Sequence, residues 1–349
     1  MSKIPVGILG ATGTVGQRFV QLLADHPWFE VTALAASGRS AGQTYADACH
    51  WLLPTDIPEG IAHTIVQPIE PVLDCGLVFS ALPSGVAGSM ENQFAQAGYV
   101  VCSNAAAHRL DPDVPLLIPE VNAGHTALIK SQRRRRDWPG LIVTSANCST
   151  TQLALALKPL HDAFAIRKVS VVSLQAVSGG GYPGVPSLDI LGNVIPYIGG
   201  EEAKVETESR RLLGSLNGPE LVEAPFLVSA QCNRVPVLDG HMECVSLEFG
   251  DKPETGDVIA ALETFRAAAD VQKLPSSPGQ PIVVRREADR PQPVRDANTN
   301  GGMSVVVGRV RPCPVLHQKF VLLGHNTLRG AAGGSIHNAE LLVMQGWCR

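Results

Sequence analysis

A two-part α/β chain is the architecture this sequence predicts, and three observations predict it. At 349 residues, 45% of them hydrophobic, the chain exceeds what a single core usually holds, so two domains are expected. Its first 150 residues alternate short apolar runs with helical stretches, the pattern of a parallel sheet wrapped by helices. Beyond about residue 165 the apolar runs continue with fewer helices between them, which points to a mixed or antiparallel sheet in an α+β unit.

The first run, Lys3 to Leu9 (KIPVGIL), reads as a strand, followed by GATGTVG at 10–16 and by QRFVQLLADHP. Phe19, Val20, Leu22 and Leu23 fall on one face of that helix. Further strands are expected at Phe29–Ala36, Gly76–Leu82, Tyr99–Ser103 and Gly140–Thr144, with the helical AGSMENQFAQAG before Tyr99. In the second half the expected strands are Val169–Val177, Met242–Phe249, Pro281–Glu287, Met303–Val310 and Lys319–His325. The closing stretch from Ala332 reads as a helix that returns to the first domain. Ala288–Gly302 is expected to be a loop at the edge of a site, and Arg133–Arg136 a solvated basic loop.

A formal net charge of −4 gives no reason to expect nucleic acid or an acidic membrane as partner. No apolar run approaches membrane-spanning length, and the N-terminus enters a strand and a glycine turn at once, unlike a secretory leader. The eight cysteines form no CxxC pair, which suits reduced thiols in the cytoplasm, and no metal-ligand spacing is present.

Gly10, Gly13 and Gly16 lie between a strand and a helix, where free N–H groups at a helix N-terminus can meet a pyrophosphate. The second strand then runs into Ser37, Gly38, Arg39 and Ser40. An acidic residue there would bind a ribose 2′-hydroxyl; a guanidinium between hydroxyls suits a 2′-phosphate, so NADP is the expected cofactor. Cys148 sits in SANCSTTQ, between the GLIVT run and a helix carrying Leu153, Leu157 and Leu160 on one side. A thiol at a helix N-terminus is biased toward thiolate, and the same N–H groups can receive an oxyanion. Thiol plus nicotinamide suggests aldehyde oxidation through a thioester.

These segments, with QAVSGGGYPG at 175–184, DILGNVIPYIGGEEAK at 189–204, RVPVLDGH at 234–241 and HNTLRGAAGGSIHNAELL at 325–342, resemble the aspartate-β-semialdehyde dehydrogenases of the fungal and archaeal branch. The likeness spans the chain. Ala146 replaces a commoner Pro, and SGGGYPG a commoner SGAGYPG. It implies a Rossmann-like NADP-binding domain of residues 1–147 plus 327–349, and a catalytic and dimerisation domain of residues 148–326. The implied reaction is the reversible, phosphate-dependent interconversion of L-aspartate 4-semialdehyde and L-4-aspartyl phosphate, toward lysine, threonine and methionine. In that scheme Cys148 is the nucleophile, His241 the acid/base, and Gln175 orients thiol and substrate. Arg234 clamps the α-carboxylate, Glu201 or Glu202 meets the ammonium, and Arg109 and Lys204 hold phosphate. Gly10, Thr12, Gly13, Val15, Gly16, Ser37, Arg39 and Ser40, with Asn326 and Thr327 near the nicotinamide, contact NADP. A homodimer or homotetramer is implied. Related acyl reductases acting on malonyl-CoA or N-acetyl-γ-glutamyl phosphate share this chemistry, but neither substrate needs an acidic partner for a free ammonium.

Overall fold

The computed structural model describes residues 2–348, built around two sheets. The first sheet comprises β1 (Ile4–Leu9), β2 (Phe29–Ala36), β3 (Gln67–Pro68), β4 (Leu77–Ser80), β5 (Val100–Ser103), β6 (Leu116–Leu117) and β7 (Leu141–Ser145). Their order is β3-β2-β1-β4-β5-β7-β6 and every pair is parallel. Central strands such as β4, β5 and β7 are buried at every residue, as strands covered on both faces must be. Strand order reverses between β1 and β4, so a crevice opens beyond their C-terminal ends. Helices α1 (Thr14–Leu23) and α2 (Ser84–Gln96) start at that edge.

The second sheet contains β8 (Ile166–Gln175), β11 (Leu227–Arg234), β12 (His241–Phe249), β13 (Ile282–Arg285), β14 (Val305–Pro312) and β15 (Gln318–Gly324). β9 (Ser215–Asn217) and β10 (Glu220–Val222) form a separate hairpin. In the order β11-β8-β12-β15-β14-β13 the outer pairs are parallel and the inner three antiparallel. The mixed sheet expected for this half is therefore present. One of its faces is covered by α4 (Cys148–Phe164), whose Leu153, Leu157 and Leu160 are fully buried. Each such leucine stabilises the fold by roughly 1.5–3 kcal/mol relative to exposure.

Two expectations are corrected. Arg133–Arg136 is not a loop but the last turn of helix α3 (Leu128–Arg136). Its Gln132 is buried, donating to Asp113 O and Ile142 O, while Arg136 pairs with Asp111 and Asp113, each at 2.7 Å. Arg133 lies over the Trp347 ring, and four cations in a last turn suit the helix dipole. Ala288–Gly302 is not all loop either. It contains a helical turn, Pro293–Asp296, tied down by the buried Asp296 carboxylate accepting from Arg290 Nε at 2.7 Å.

Helix α5 (Glu201–Leu212) and strand β11 were not among the expected elements. After β15 the chain makes a π-helical turn, Leu328–Ala332, and enters α6 (Gly333–Met344), which packs on β5 and β7 of the first sheet. No helix among the described residues is long and apolar enough to cross a membrane. None of their His, Cys, Asp and Glu side chains form a group of three or more that could hold a metal ion.

Candidate active site

The site lies where the two sheets meet, in a cavity of about 560 Å³. Cys148, Arg109, Glu201, Lys204 and Arg234 all face it, although they come from four separate stretches of chain. Asn326 and Thr327 line it too, as does Val15 from the start of α1.

Cys148 is the first residue of α4. Asn147 caps the helix, its side-chain oxygen accepting from Ser149 N at 3.0 Å and Thr150 N at 3.1 Å. That leaves the amide nitrogen of Asn147 to donate to Glu201 Oε1 at 2.6 Å, while the Asn147 N–H donates to Glu208 Oε2 at 2.6 Å. The backbone of Gly330 rests on the cysteine: a Cβ at 330 would stand 2.7 Å from the Cys148 Cβ.

Sheet register assembles the other wall. Gln175 ends β8 opposite Arg234 at the end of β11, and His241 begins β12 opposite Gly324 of β15. Met242 pairs with Leu174, which puts His241 beside Gln175. Gln175 and His241 are fully buried and lie one layer beneath the cavity wall. Gly179 lies against the imidazole edge, where a Cβ would be 3.0 Å from Nε2. The N–H of Ala176 donates to His241 Nδ1 at 3.0 Å, so the neutral ring carries its proton on Nε2, an atom with no partner among the described residues.

Helix α5 supplies the charged side. Glu201 and Lys204 pair at 3.3 Å, and Arg109 donates to Glu208 Oε1 at 3.1 Å and to Asn104 O at 2.8 Å. Glu201 is buried and faces the cavity, whereas Glu202 is exposed and accepts from the Cys232 N–H at 3.1 Å.

The expected bias of Cys148 toward thiolate is overturned. Burial, reinforced by the Glu201 carboxylate, pushes its thiol up to about 12, against the opposing pull of Arg109, the Ser149 N–H and Arg234. Burial, then the Arg234 charge, pushes the His241 imidazole down to about 3. The resting pair is a thiol and a neutral imidazole. Helix position alone does not ionise a thiol that its surroundings largely desolvate, even one that borders the cavity.

Below the site, Glu243 is fully buried; Gln152 donates to its Oε1 at 2.9 Å and Oε2 has no partner among the described residues. Burial raises its carboxyl to about 8, the Gln152 hydrogen bond opposing, so it stays protonated where an unfolded carboxyl near 4.5 has ionised. The folded state then holds one more proton than the unfolded, and stability falls as pH rises from about 4.5 to 8. Glu243→Gln is expected to flatten that slope, read as urea midpoints at several pH values across the window. An unchanged slope would mean that Glu243 is ionised.

The glycine turn forms the rim. Gly10 has φ +78°, and a Cβ on Gly16 would overlap Gly10 O and the Ala11 backbone. Such a cradle, opening on the N-terminus of α1, fits a pyrophosphate. Gly10, Thr12, Gly13 and Gly16 lie outside the cavity wall, as do Ser37, Arg39 and Ser40 beyond the end of β2. Arg39 is exposed and has no ion-pair partner among the described residues, leaving its guanidinium available to a phosphate. Arg39→Ala is expected to weaken NADP binding by roughly tenfold or more and leave NAD binding nearly unchanged, as read by titration calorimetry. Equal losses for both dinucleotides would remove Arg39 from the 2′-phosphate site. Of the Ala288–Gly302 segment Asn298 lines the apolar groove next to the cavity, and Asn300 and Gly301 line a separate groove beside His26 and Ser276.

Comparison with known proteins gives a consistent answer. Residues 5–129 match the family model for the semialdehyde dehydrogenase NAD binding domain, and residues 157–329 the semialdehyde dehydrogenase dimerisation domain. An aspartate-semialdehyde dehydrogenase of Methanothermobacter thermautotrophicus is 51% identical, over 97% of this chain and 99% of its own. The chain belongs to the aspartate-semialdehyde dehydrogenase family. A fungal member from Cryptococcus neoformans is 48% identical over 99% of this chain and 98% of its own. The crystal structure of aspartate-semialdehyde dehydrogenase with NADP from Candida albicans superposes with a TM-score of 0.91, at 43% identity and 99% coverage of both chains. Both branches named by the resemblance are thus among the dehydrogenases it matches.

Sequence reasoning missed three members of the site. Asn147 was legible as an Asn directly before a helix start. Glu208 was legible once Glu201, Lys204 and Glu208 are placed on one helical face. The Ala176 N–H that fixes the His241 tautomer carries no sequence signal.

Proposed function

We propose that this chain catalyses the reversible reductive dephosphorylation of L-4-aspartyl phosphate to L-aspartate 4-semialdehyde, through a thioester on Cys148, in the biosynthesis of lysine, threonine and methionine. The observation that carries this reading is a single cavity in which a cysteine is ringed by Arg109, Lys204, Arg234 and Glu201. Three cations and one carboxylate complement a substrate bearing a phosphate, an α-carboxylate and an ammonium.

Arg234 receives the α-carboxylate, since a planar fork matches it. Glu201 receives the ammonium; Glu202 is turned to the Cys232 N–H. Arg109 and Lys204 hold the phosphoryl group and stabilise the charge that leaves with it. The Cys148 sulfur attacks the acyl carbon as it gives up its proton, the tetrahedral adduct collapses with cleavage of the C–O bond, and phosphate departs carrying that proton while the C–S bond of the thioester remains. When bound, NADPH supplies hydride to the acyl carbon. The oxygen that gains charge is met by the Cys148 N–H and the cationic side of the cavity, the Ser149 and Thr150 N–H groups being taken by the Asn147 cap. Gln175 orients the thiol, and His241, behind Gly179, handles the proton from Nε2. Collapse frees the aldehyde and returns the sulfur.

The division of labour follows the sheets. Residues 1–147 with 327–349 form the cofactor domain, held by Gly10, Thr12, Gly13, Val15, Gly16, Ser37, Arg39, Ser40, Asn326 and Thr327; residues 148–326 form the catalytic and dimerisation domain. The protein acts in the cytoplasm as a homodimer or homotetramer. The buried Glu201 carboxylate favours a free amino acid over malonyl-CoA or an N-acetylated acyl phosphate. The test is NADP reduction by L-aspartate 4-semialdehyde with and without inorganic phosphate, in the wild type and Cys148→Ala. Phosphate-dependent turnover, lost in the variant, is expected; no turnover by folded wild type rules out this substrate and makes malonyl-CoA the next.

A further inference from the structure

Glu208 makes two contacts that no other side chain in the site combines. One oxygen accepts from Arg109 Nη1 at 3.1 Å, and the other accepts from the backbone N–H of Asn147 at 2.6 Å. Asn147 is both the cap of α4 and the residue before Cys148. Arg109 and Asn147 are 99 and 61 residues away from Glu208 along the chain. The carboxylate is 2% exposed and faces no solvent that could share these roles.

Helix α5 explains its placement. Glu201, Lys204 and Glu208 follow one another at three- and four-residue steps, so they project from one face onto the cavity side. Glu201 holds the side-chain amide of Asn147 while Glu208 holds its N–H. The nucleophile's turn is therefore clamped at two points by residues about two turns apart on one helix. Arg109, with its second terminal nitrogen on Asn104 O, is fixed to the same helix through Glu208.

We propose that Glu208 is a positioning residue that joins the phosphate-binding arginine to the turn carrying the nucleophile, so that the two move as one unit. It rests on the reading of Cys148 as nucleophile and Arg109 as phosphate ligand. A phosphoryl group drawn toward Arg109 pulls on a guanidinium whose partner is the same carboxylate that anchors Asn147. The acyl carbon and the sulfur are thereby registered by one rigid part rather than by two independent loops. Positioning of this kind loses rate when the fixing group is shortened or made neutral, even though it touches no reacting atom.

The test is a double-mutant cycle on Cys148 itself, read as its rate of alkylation by iodoacetamide, with the Cys148 peptide quantified by mass spectrometry. Arg109→Lys keeps the positive charge beside the thiol and removes the fork geometry, so its effect travels through hydrogen bonds. In the wild-type background Arg109→Lys is expected to change the alkylation rate by roughly 2- to 100-fold, the span of coupled neighbours. In a Glu208→Gln background the same substitution is expected to change nothing further. Inorganic phosphate is likewise expected to alter Cys148 alkylation in the wild type and not in Glu208→Gln. In NADP reduction, the phosphate KM should rise and kcat should fall together in Glu208→Gln, with Glu208→Asp between it and the wild type. An Arg109→Lys effect of equal size in both backgrounds would overturn the proposal. So would a Glu208→Gln enzyme that is less stable yet kinetically normal per folded molecule. If Glu208→Gln does not fold, Glu208→Asp carries the same cycle, because its shorter arm keeps the charge but cannot reach both partners. The alkylation cycle uses no substrate, so it decides the role of Glu208 even if aspartate semialdehyde proves not to be turned over.

Discussion

Replacing Cys148 with serine is expected to lower kcat/KM by about 10⁴-fold or more while leaving NADP binding and the fold intact. Serine fits the space, so the loss is chemical. Oxygen cannot form the thioester, and an alcohol needs a base to become a nucleophile. No such base is in place. His241 Nδ1 is occupied by the Ala176 N–H, and Nε2 already bears the proton. The resting thiol is itself protonated, held at about 12 by burial and by Glu201. Activation must come with the substrate, whose ammonium would neutralise Glu201. The measurement is NADP reduction under saturating phosphate, with cofactor affinity followed by fluorescence. Activity within tenfold of the wild type would show that the nucleophile lies elsewhere.

The largest effect on stability is expected at Glu120 and Arg329. These side chains are essentially without solvent contact and form a two-pronged pair, Nη1 to Oε1 at 2.7 Å and Nη2 to Oε2 at 2.6 Å. Burial alone would raise the Glu120 carboxyl, but the Arg329 charge and then His337 overcome it and hold the group at about 2. Removing either partner strands a charge in the interior, at a cost of about 3–5 kcal/mol. Glu120→Leu combined with Arg329→Met should recover much of that loss. In urea unfolding, each single variant should fall well below the double. Singles as stable as the double would mean that the pair contributes nothing. The pH sign follows: because the folded pKa is depressed, this stability is complete above about 4.5 and fades as pH drops toward 2. Activity should fall as well, since Arg329 precedes the Gly330 backbone that rests on Cys148.

Local patterns made part of this legible. Strand, glycine turn and helix at residues 4–23 are neighbours in sequence, and so are Asn147, Cys148 and the helix they open. Arg234, His241 and Gln175 are not; strand register brings them together, and no spacing in the chain encodes that register. β11 escaped notice because Ser229, Gln231 and Asn233 alternate with its buried residues, giving an edge strand little apolar signal. The basic run was misread for a related reason. Charge suggested solvent, but long arginine stems covered Trp347 and reached two aspartates. The thiolate expectation failed because helix position shows in a sequence and burial does not.

The return of α6 to the first sheet has a consequence for how the protein is made. Ile336, Ala339, Leu342 and Cys348 belong to the same core as Val6, Phe19, Leu77 and Val143. A ribosome releases the first sheet's strands long before it has synthesised the helix that completes their packing. Until then a nascent chain carries an open apolar face, the kind of surface that chaperones hold and that aggregates when they are scarce. Synthesis that stalls between β7 and this helix thus yields a polypeptide with a nearly finished half that still cannot close, so Gly333–Met344 governs the fate of a sheet that was complete by Ser145.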